Sequence, residues 1–276
     1  MMSASDLKLI SVGFEGIGSG FFYKFNIDGK CLYTIITCAH VAEKCTKNDS
    51  IVFFKKDNFK INNISLPFND DVCRSILFLD DYNEFENVNN DENDLAVIIL
   101  TNDFVDKYKL TDNFILSNTN TVIDKSHINN FCSTKMIGWK YRKITSYICD
   151  SQSVVGSNIV VDGTLATMTG DDDLLYCNMQ SLEGLSGSPV FVVKKDFSNI
   201  NHQNDNPFES FVNIDLVDML FLGVNIGRVV EKNKVIFKNS ENKESNKYEA
   251  LNKTNLSIII NMEKIKDFEE FLTLYL

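Results

Sequence analysis

Basic residues are scarce in this sequence relative to acidic ones. The 276 residues include 27 lysines and arginines against 38 aspartates and glutamates, which gives a formal net charge of −11 and a pI near 4.8. A nucleic-acid-binding surface needs a surplus of lysine and arginine to neutralise phosphates. We therefore expect no nucleic-acid partner.

Long apolar runs are missing as well. No window approaches the roughly 20 consecutive apolar residues that a transmembrane helix requires. The N-terminus, MMSASDLKLI, lacks the basic start and the apolar stretch of a secretory signal. These absences predict a cytoplasmic protein without a membrane partner.

Paired cysteines are the third absence. The seven cysteines are odd in number and contain no CxxC motif. Disulfide frameworks use even numbers of cysteines, and structural zinc sites use closely spaced pairs. We therefore expect free thiols in a reducing compartment, and neither a metal nor another cofactor.

The sequence does contain many short apolar segments with turn residues between them. Hydrophobic residues make up 44% of the chain, which is enough to form a core. The segments include 20–25, 32–37, 51–54, 95–100, 135–139, 158–161, 190–193, 219–224 and 256–261. Many strand-length segments with few helices favour a β-sandwich or a β-barrel.

The length of the chain leaves room for two compact halves. The region 112–130, rich in Asn, Thr, Asp and Ser, is the expected link between them. Two other polar stretches, 196–206 and 231–253, are predicted to be extended and mobile surface hairpins.

Only the last segment, 262–276, has a convincing helical period. Its apolar residues recur at a spacing of three or four and are Met262, Ile265, Phe268, Leu272 and Tyr275, with Phe271 widening the apolar face. Acidic residues on the same segment argue against a membrane surface. We expect an amphipathic helix that docks on the protein's own barrel.

One candidate nucleophile is Ser186, within the sequence GLSGSPV at 184–190. Glycines on both sides allow a tight turn that exposes the hydroxyl, and the N–H groups of Gly184 and Ser186 could then converge on one point. Two such donors stabilise the oxyanion that forms when a serine attacks a carbonyl. An ordinary turn explains the same residues.

A serine nucleophile needs a base, and the sequence has three histidines. His127 and His202 lie in polar, Asn-rich stretches and are predicted to be surface residues. His40 directly follows the apolar segment 32–37, so the rim of a sheet would fix its position. A histidine that is simply packed or exposed at that rim is the alternative.

The base needs an acceptor that holds one tautomer, which is usually a carboxylate. Asp94 immediately precedes the apolar segment 95–100, whereas Asp91 and Glu92 lie further from it and are predicted to be solvated. Asp94 is therefore the candidate acid. Taken alone, an acidic residue before a strand is often only a turn former.

Together these motifs resemble the trypsin-like serine peptidases, in particular bacterial members of the chymotrypsin fold similar to the HtrA proteases but without a PDZ domain. GSGF at 18–21 and TCAHV at 37–41 resemble the strand and the histidine site of that family. NDLAV at 93–97 resembles its aspartate site, and GLSGSPV resembles its serine site. The histidine, aspartate and serine also follow in the family's order.

The resemblance implies an all-β fold with two antiparallel six-stranded β-barrels and a C-terminal α-helix. The N-terminal barrel, 1–116, would carry His40 and Asp94, and the C-terminal barrel, 117–276, would carry Ser186. The implied activity is that of a serine endopeptidase that cleaves polypeptides through an acyl-enzyme, with Gly184 and Ser186 as oxyanion donors.

Two positions depart from the family pattern. Leu185 stands where animal trypsins have an aspartate that pairs with a new N-terminus, so activation by that ion pair is not expected. Ser188 replaces a family glycine and restricts the backbone after the nucleophile.

The resemblance places the substrate pocket at three residues. Gln180 would form its base and does not favour Lys or Arg in the substrate, while Asn225 and Ile226 would form its wall. Arg228 near the entrance would favour acidic side chains.

Three other assignments compete with a serine peptidase. The first is a catalytically silent module of the same fold that binds peptides or proteins. The second, an α/β-hydrolase, needs a glycine at position 188 and a histidine last in the triad. The third, a cysteine peptidase, needs a cysteine at position 186. Because an unregulated cytoplasmic peptidase would be hazardous, a regulatory partner is also expected.

Overall fold

Strands dominate the chain. The computed structural model describes residues 4–46, 49–57, 60–79, 93–118, 132–146, 151–167, 173–194, 218–238 and 244–276. Its strands are β1 (Ser11–Phe14), β2 (Gly18–Ile27), β3 (Lys30–Thr37), β4 (Ser50–Asp57), β5 (Lys60–Pro67), β6 (Cys73–Phe78), β7 (Ala96–Leu100), β8 (Leu116–Ser117), β9 (Ser133–Ser146), β10 (Ser151–Thr167), β11 (Leu174–Asn178), β12 (Ser188–Lys194), β13 (Asp218–Lys238) and β14 (Glu244–Asn261).

The helices of the described residues are short. The α-helices are α1 (Ala4–Ile10), α2 (Ala39–Ala42), α3 (Asn102–Tyr108) and α4 (Glu269–Leu272), and the 3₁₀ segments are Leu110–Asn113, Met262–Phe268 and Thr273–Tyr275. None of the described helices has the length and the apolar character that crossing a membrane requires.

The first sheet contains β1 to β8. Seven strands follow the order β5-β4-β1-β2-β3-β7-β6 through antiparallel pairs, and β8 pairs in parallel with β2. In the described residues this sheet has eight strands where six were expected, and its path ends at β5 and β6. One of the two additional strands, β8, is only two residues long, which is too short for a sequence pattern to reveal.

The second sheet is a closed barrel of β9 to β14. Its six strands follow the order β10-β11-β14-β13-β12-β9, and all of its pairs are antiparallel. The predicted all-β fold is therefore confirmed, with a six-stranded barrel in the C-terminal part of the chain.

Other predictions about organisation have mixed outcomes. The hairpin at 231–253 is confirmed as the far end of β13 and β14, whose pairing runs from Val230 with Lys253 to Lys238 with Glu244. The stretch 196–206, most of the expected link and the histidines at 127 and 202 lie outside the described residues. The boundary between residues 116 and 117 stays a prediction.

The largest buried cluster takes side chains from both sheets. Phe21 of β2 lies 5.3 Å from Phe221 of β13, and Phe221 lies 5.8 Å from Phe191 of β12, measured between ring centroids. Beside this cluster, Phe54 of β4 stacks on Trp139 of β9 at 5.2 Å. The sheet and the barrel thus share one apolar core. We call the interface that these aromatic side chains fill the seam.

The C-terminal segment forms helical turns, but most of them are 3₁₀ rather than α. Met262, Ile265 and Phe268 are spaced by three residues, which matches the three-residue turn of a 3₁₀ helix, and all are buried. Beyond its own barrel, the segment also contacts the first sheet: Arg74 Nη1 donates to the carbonyl of Tyr275 at 3.0 Å, and Lys30 Nζ donates to that of Leu276 at 3.2 Å.

The cysteines behave as expected where they are described. All six of these residues, Cys31, Cys38, Cys45, Cys73, Cys132 and Cys177, are free thiols.

Candidate active site

The pairing between β3 and β7, two inner strands of the first sheet, brings His40 and Asp94 together at the ends of these strands. Thr37 at the end of β3 pairs with Ala96 at the start of β7. In an antiparallel pair, the residues that follow one strand lie beside the residues that precede the other. The chain after Thr37 therefore places His40 beside Asp94, which lies two positions before Ala96.

The contact between the two residues is double. The Nδ1 atom of His40 lies 2.6 Å from Oδ2 of Asp94, and the backbone N–H of His40 donates to Oδ1 at 3.0 Å. A carboxylate oxygen accepts, so Nδ1 is the donor of this hydrogen bond, and in the neutral tautomer that the contact selects the lone pair is on Nε2. The exposed fractions of the side chains are 37% for His40 and 21% for Asp94, which leaves the ring accessible to a substrate.

Ser186 lies in the turn between β11 and β12, and two glycines shape that turn. Gly184 and Gly187 have φ values of +93° and +87°, which side chains disfavour. A Cβ atom at Gly187 would also overlap the carbonyl oxygen of Ser19 and the hydroxyl of Thr37. Glycine at position 187 is therefore required both by conformation and by space.

The turn lies against the segment that carries His40. The backbone N–H of Ser19 donates to the carbonyl of Ser186 at 2.7 Å. A Cβ atom at Gly18 would come within 3.1 Å of that carbonyl and within 2.6 Å of Val41, the residue after His40. The start of β2 thus lies between the Ser186 backbone and Val41.

A second link joins the same two segments. The carbonyl of Asn225 accepts from the N–H of Gly187 at 2.7 Å and from the thiol of Cys38 at 3.4 Å. In the part of the chain that the structure describes, Asp94 is the hydrogen-bond partner of the His40 ring, and no hydrogen bond joins this ring to the hydroxyl of Ser186. The structure brings the segments of the three residues together but shows only the acid–base contact directly.

The backbone N–H groups of the turn fall into two sets. Those of Leu185, Gly187 and Ser188 donate to backbone carbonyls at 3.1, 2.7 and 3.1 Å. Those of Gly184 and Ser186 have no acceptor among the described residues. The two donors without an acceptor are the pair that the sequence predicts for an oxyanion.

The predicted pocket residues differ in exposure. Gln180 is exposed, Ile226 is 8% exposed, and Asn225 is fully buried beneath the turn. Arg228 Nη1 contacts the carbonyl of Ser181 at 3.4 Å. Whether these residues contact a substrate stays a prediction, but the Asn225 side chain has a contact that the sequence did not reveal: its amide donates to the carbonyl of Leu185 at 2.8 Å.

Cys38 adds a third donor atom beside the histidine and the aspartate. Its thiol, a ring nitrogen of His40 and a carboxylate oxygen of Asp94 lie within 4.8 Å of one another, so the three residues could ligate a metal ion. Burial raises the pKa of the Cys38 thiol well above its usual value, and the charge of Asp94 raises it further. The thiolate that a nucleophilic role needs is therefore disfavoured, as expected for a packed residue.

Comparison with known proteins returned solved structures only. Neither a protein-family model nor a curated protein matches the chain. A thermostable serine protease from an extremophilic microorganism has 9% sequence identity and a TM-score of 0.45, over 96% of this chain and 95% of that one.

Two plant-virus enzymes are also similar in structure. The catalytically active tobacco etch virus protease, in complex with product, has 10% identity and a TM-score of 0.39 over 99% of this chain and 80% of that one. The tobacco vein mottling virus protease has 11% identity and a TM-score of 0.39 over 100% of this chain and 87% of that one.

Proposed function

We propose that the chain is a serine endopeptidase in which His40 is the base, Asp94 the orienting acid and Ser186 the nucleophile. The observation that carries this proposal is the double contact between His40 and Asp94, beside a turn that presents Ser186. The bacterial, HtrA-like character belongs to the same proposal and is supported by the sequence motifs alone.

The first contribution of the site is an oriented base. Asp94 fixes both the backbone and the ring of His40, and it selects the tautomer in which Nε2 is the acceptor. A carboxylate in this position also stabilises the imidazolium that forms when the ring accepts a proton.

The second contribution is a preorganised pair of backbone donors. Removing one donor of this kind typically lowers the rate about 10²–10³-fold, because the donors face the charge that develops in the transition state. Gly184 and Ser186 supply two N–H groups with no other acceptor in the described residues, and both belong to the nucleophile turn.

The reaction then follows from these groups. His40 accepts the proton of the Ser186 hydroxyl as the oxygen attacks the peptide carbonyl, and the carbonyl oxygen becomes an oxyanion. His40 returns the proton to the leaving amine, which departs and leaves an ester on Ser186. Water attacks this ester in the same way and releases the acid product.

The substrate assignment is a polypeptide, with Gln180, Asn225 and Ile226 as the proposed pocket residues. A regulatory partner that limits proteolysis is part of the same proposal. The alternative is a silent module of the same fold that binds peptides without cleaving them. It is favoured by the missing hydrogen bond between Ser186 and His40, although such contacts often tighten only with substrate bound.

The test is the pair Ser186→Ala and Ser65→Ala, with a fluorophosphonate probe and a peptide library. Replacing Ser186 should abolish labelling and lower kcat on the order of 10⁶-fold, because the nucleophile is lost while the fold is kept. Ser65, an exposed serine on β5, is the matched control and should leave both readouts at the wild-type level. A folded wild-type protein that neither labels nor cleaves would identify the silent module.

A further inference from the structure

Three consecutive carbonyls of the nucleophile turn each accept a hydrogen bond from outside the turn. The hydroxyl of Ser19 donates to the carbonyl of Gly184 at 2.6 Å, and the side-chain amide of Asn225 donates to that of Leu185 at 2.8 Å. The backbone N–H of Ser19 donates to that of Ser186 at 2.7 Å. One residue of each sheet therefore holds this turn.

Asn225 contacts both peptide groups that flank the α-carbon of Ser186. A peptide group is planar, so fixing its carbonyl also fixes the direction of its N–H. The carbonyl of Leu185 and the N–H of Ser186 belong to one peptide group, and Asn225 Nδ2 binds that carbonyl. The next peptide group contains the N–H of Gly187, which donates to the Asn225 carbonyl at 2.7 Å.

The orientation of the Asn225 amide is determined by its surroundings. Nδ2 faces the carbonyl of Leu185 and also lies 3.4 Å from the hydroxyl of Ser181, so a flipped amide would bring two acceptors together at Leu185. In the described residues, the Oδ1 atom is buried and has no hydrogen-bond partner. A buried acceptor without a partner is unfavourable. The hydrogen bond from Nδ2 to the carbonyl of Leu185 is the contact that favours an asparagine at this position in spite of that cost.

Ser19 is held just as firmly. It is fully buried, its hydroxyl accepts from the N–H of Trp139 at 2.8 Å, and its single proton points to Gly184. Thr37, three residues before His40, donates to the Ser19 carbonyl at 2.6 Å. Ser19 thereby ties the nucleophile turn to the segment that carries the base.

We propose that Asn225 and Ser19 are positioning residues for the oxyanion donors. Asn225 aims the N–H of Ser186 at the oxyanion through the carbonyl of Leu185, and Ser19 fixes the two neighbouring peptide groups, whose N–H groups belong to Leu185 and Gly187. The inference rests on the proposed peptidase function. All of their donors are neutral, and the turn itself carries the apolar and fully buried Leu185. Neutral hydrogen bonds, rather than an ion pair, hold the turn in its catalytic geometry.

The experiment compares Asn225→Leu and Ser19→Ala with Thr34→Val. Asn225→Leu keeps the size of the side chain but removes the donor to Leu185, and we expect kcat to fall about 10²–10³-fold while KM changes little. Thr34→Val is the matched control, because it removes a buried hydroxyl that donates to the Tyr23 carbonyl at 2.8 Å, within the first sheet. This variant should keep the wild-type kcat.

A second readout separates positioning from general structure. A peptidyl boronate forms a tetrahedral adduct with the serine, so its affinity should fall in parallel with kcat in Asn225→Leu. The affinity for an uncleaved peptide, measured in Ser186→Ala with and without Asn225→Leu, should change far less than the boronate affinity, because the Asn225 side chain is fully buried even though it belongs to the proposed pocket wall. Equal losses of both affinities would overturn the positioning role.

The outcomes distinguish this inference from the function on which it rests. A wild-type protein that neither labels nor cleaves overturns the peptidase function and this inference with it. An active wild type with a folded Asn225→Leu variant of normal kcat overturns the inference alone. If Asn225→Leu does not fold, Ser19→Ala is the test, and a normal kcat in this folded variant has the same meaning.

Discussion

Cys177 lies on the inner side of the barrel with its thiol fully buried, and burial raises its pKa to about 12. Cys45, in the turn after α2, has its pKa raised to about 12 by burial and by the nearby charge of Asp49. The unfolded chain ionises such thiols near pH 9, whereas the folded chain keeps them protonated. The folded state binds more protons in this window, so its stability falls as the pH rises.

For Cys177→Ala we predict a weaker dependence of stability on alkaline pH. Between pH 7 and pH 10 the wild-type thiol should account for a loss on the order of 1 kcal/mol in the free energy of unfolding, and the variant should not show that loss. Urea denaturation at both pH values measures the difference. The packing lost with the thiol is the same at both pH values. An equal decrease in the free energy of unfolding between pH 7 and pH 10 in the wild type and the variant would therefore contradict the prediction.

The C-terminal segment shows at the level of an element how burial outweighs propensity. Asn261 caps its first turn by accepting from the N–H of Glu263 at 3.2 Å, and four of its apolar residues, Met262, Ile265, Phe268 and Leu272, enter the core shared by the sheet and the barrel. A 3₁₀ turn is less favourable than an α turn in isolation. Its three-residue period points Met262, Ile265 and Phe268 to the same side, which decides the conformation here.

Replacing Phe268 should therefore be costly. Phe268 is fully buried, and Phe268→Ala should lower the free energy of unfolding by about 3–5 kcal/mol through lost contacts and a cavity. Leu274 is 84% exposed in the same segment, so Leu274→Ala should stay within about 0.5 kcal/mol of the wild type. Chemical denaturation measures both, and similar effects of the two changes would show that the segment is not docked.

At the scale of the whole molecule, the shared core connects the sheet to the barrel. The aromatic chain of Phe21, Phe221 and Phe191 crosses the seam, and the stacked pair of Phe54 and Trp139 closes it at a second point. If only one of the two sheets unfolded, both contacts would be exposed to water. Exposing this buried apolar area is unfavourable.

We therefore predict that the two sheets unfold together. Trp139 is the single tryptophan of the chain and is 2% exposed at the seam, so its fluorescence reports on that interface. Its midpoint in urea should coincide with the midpoint of far-ultraviolet circular dichroism, which reports on all strands. Separate midpoints would show that the seam opens before the strands are lost.

The sequence predicts that Asp94 holds His40, but not the strand register that brings the two residues into contact. His40 and Asp94 stand out because each adjoins an apolar strand, and the motifs around them are specific in combination. The register that joins them, Thr37 with Ala96, depends on pairing between distant segments, and no local pattern encodes it.

The supporting residues of the site were beyond the reach of the sequence for a related reason. Ser19 was visible only as part of a strand motif, and its hydroxyl contacts Gly184, 165 positions away. The resemblance predicts that Asn225 lines a substrate pocket, which stays a prediction, and the contact of its amide with the carbonyl of Leu185 was not visible in the sequence. A buried asparagine within an apolar strand is the signal that could have indicated such a role.

Ser188 differs from the glycine of the family motif, and the strand opposite explains how it fits. Val190 pairs with Met136, and the antiparallel register continued by two residues places Ser188 opposite Gly138. A Cβ atom at Gly138 would overlap the Ser188 hydroxyl, so the methylene and hydroxyl on one strand occupy the space that the other strand leaves empty. The residues at positions 138 and 188 are therefore coupled by packing. A larger side chain at one position requires a smaller side chain at the other.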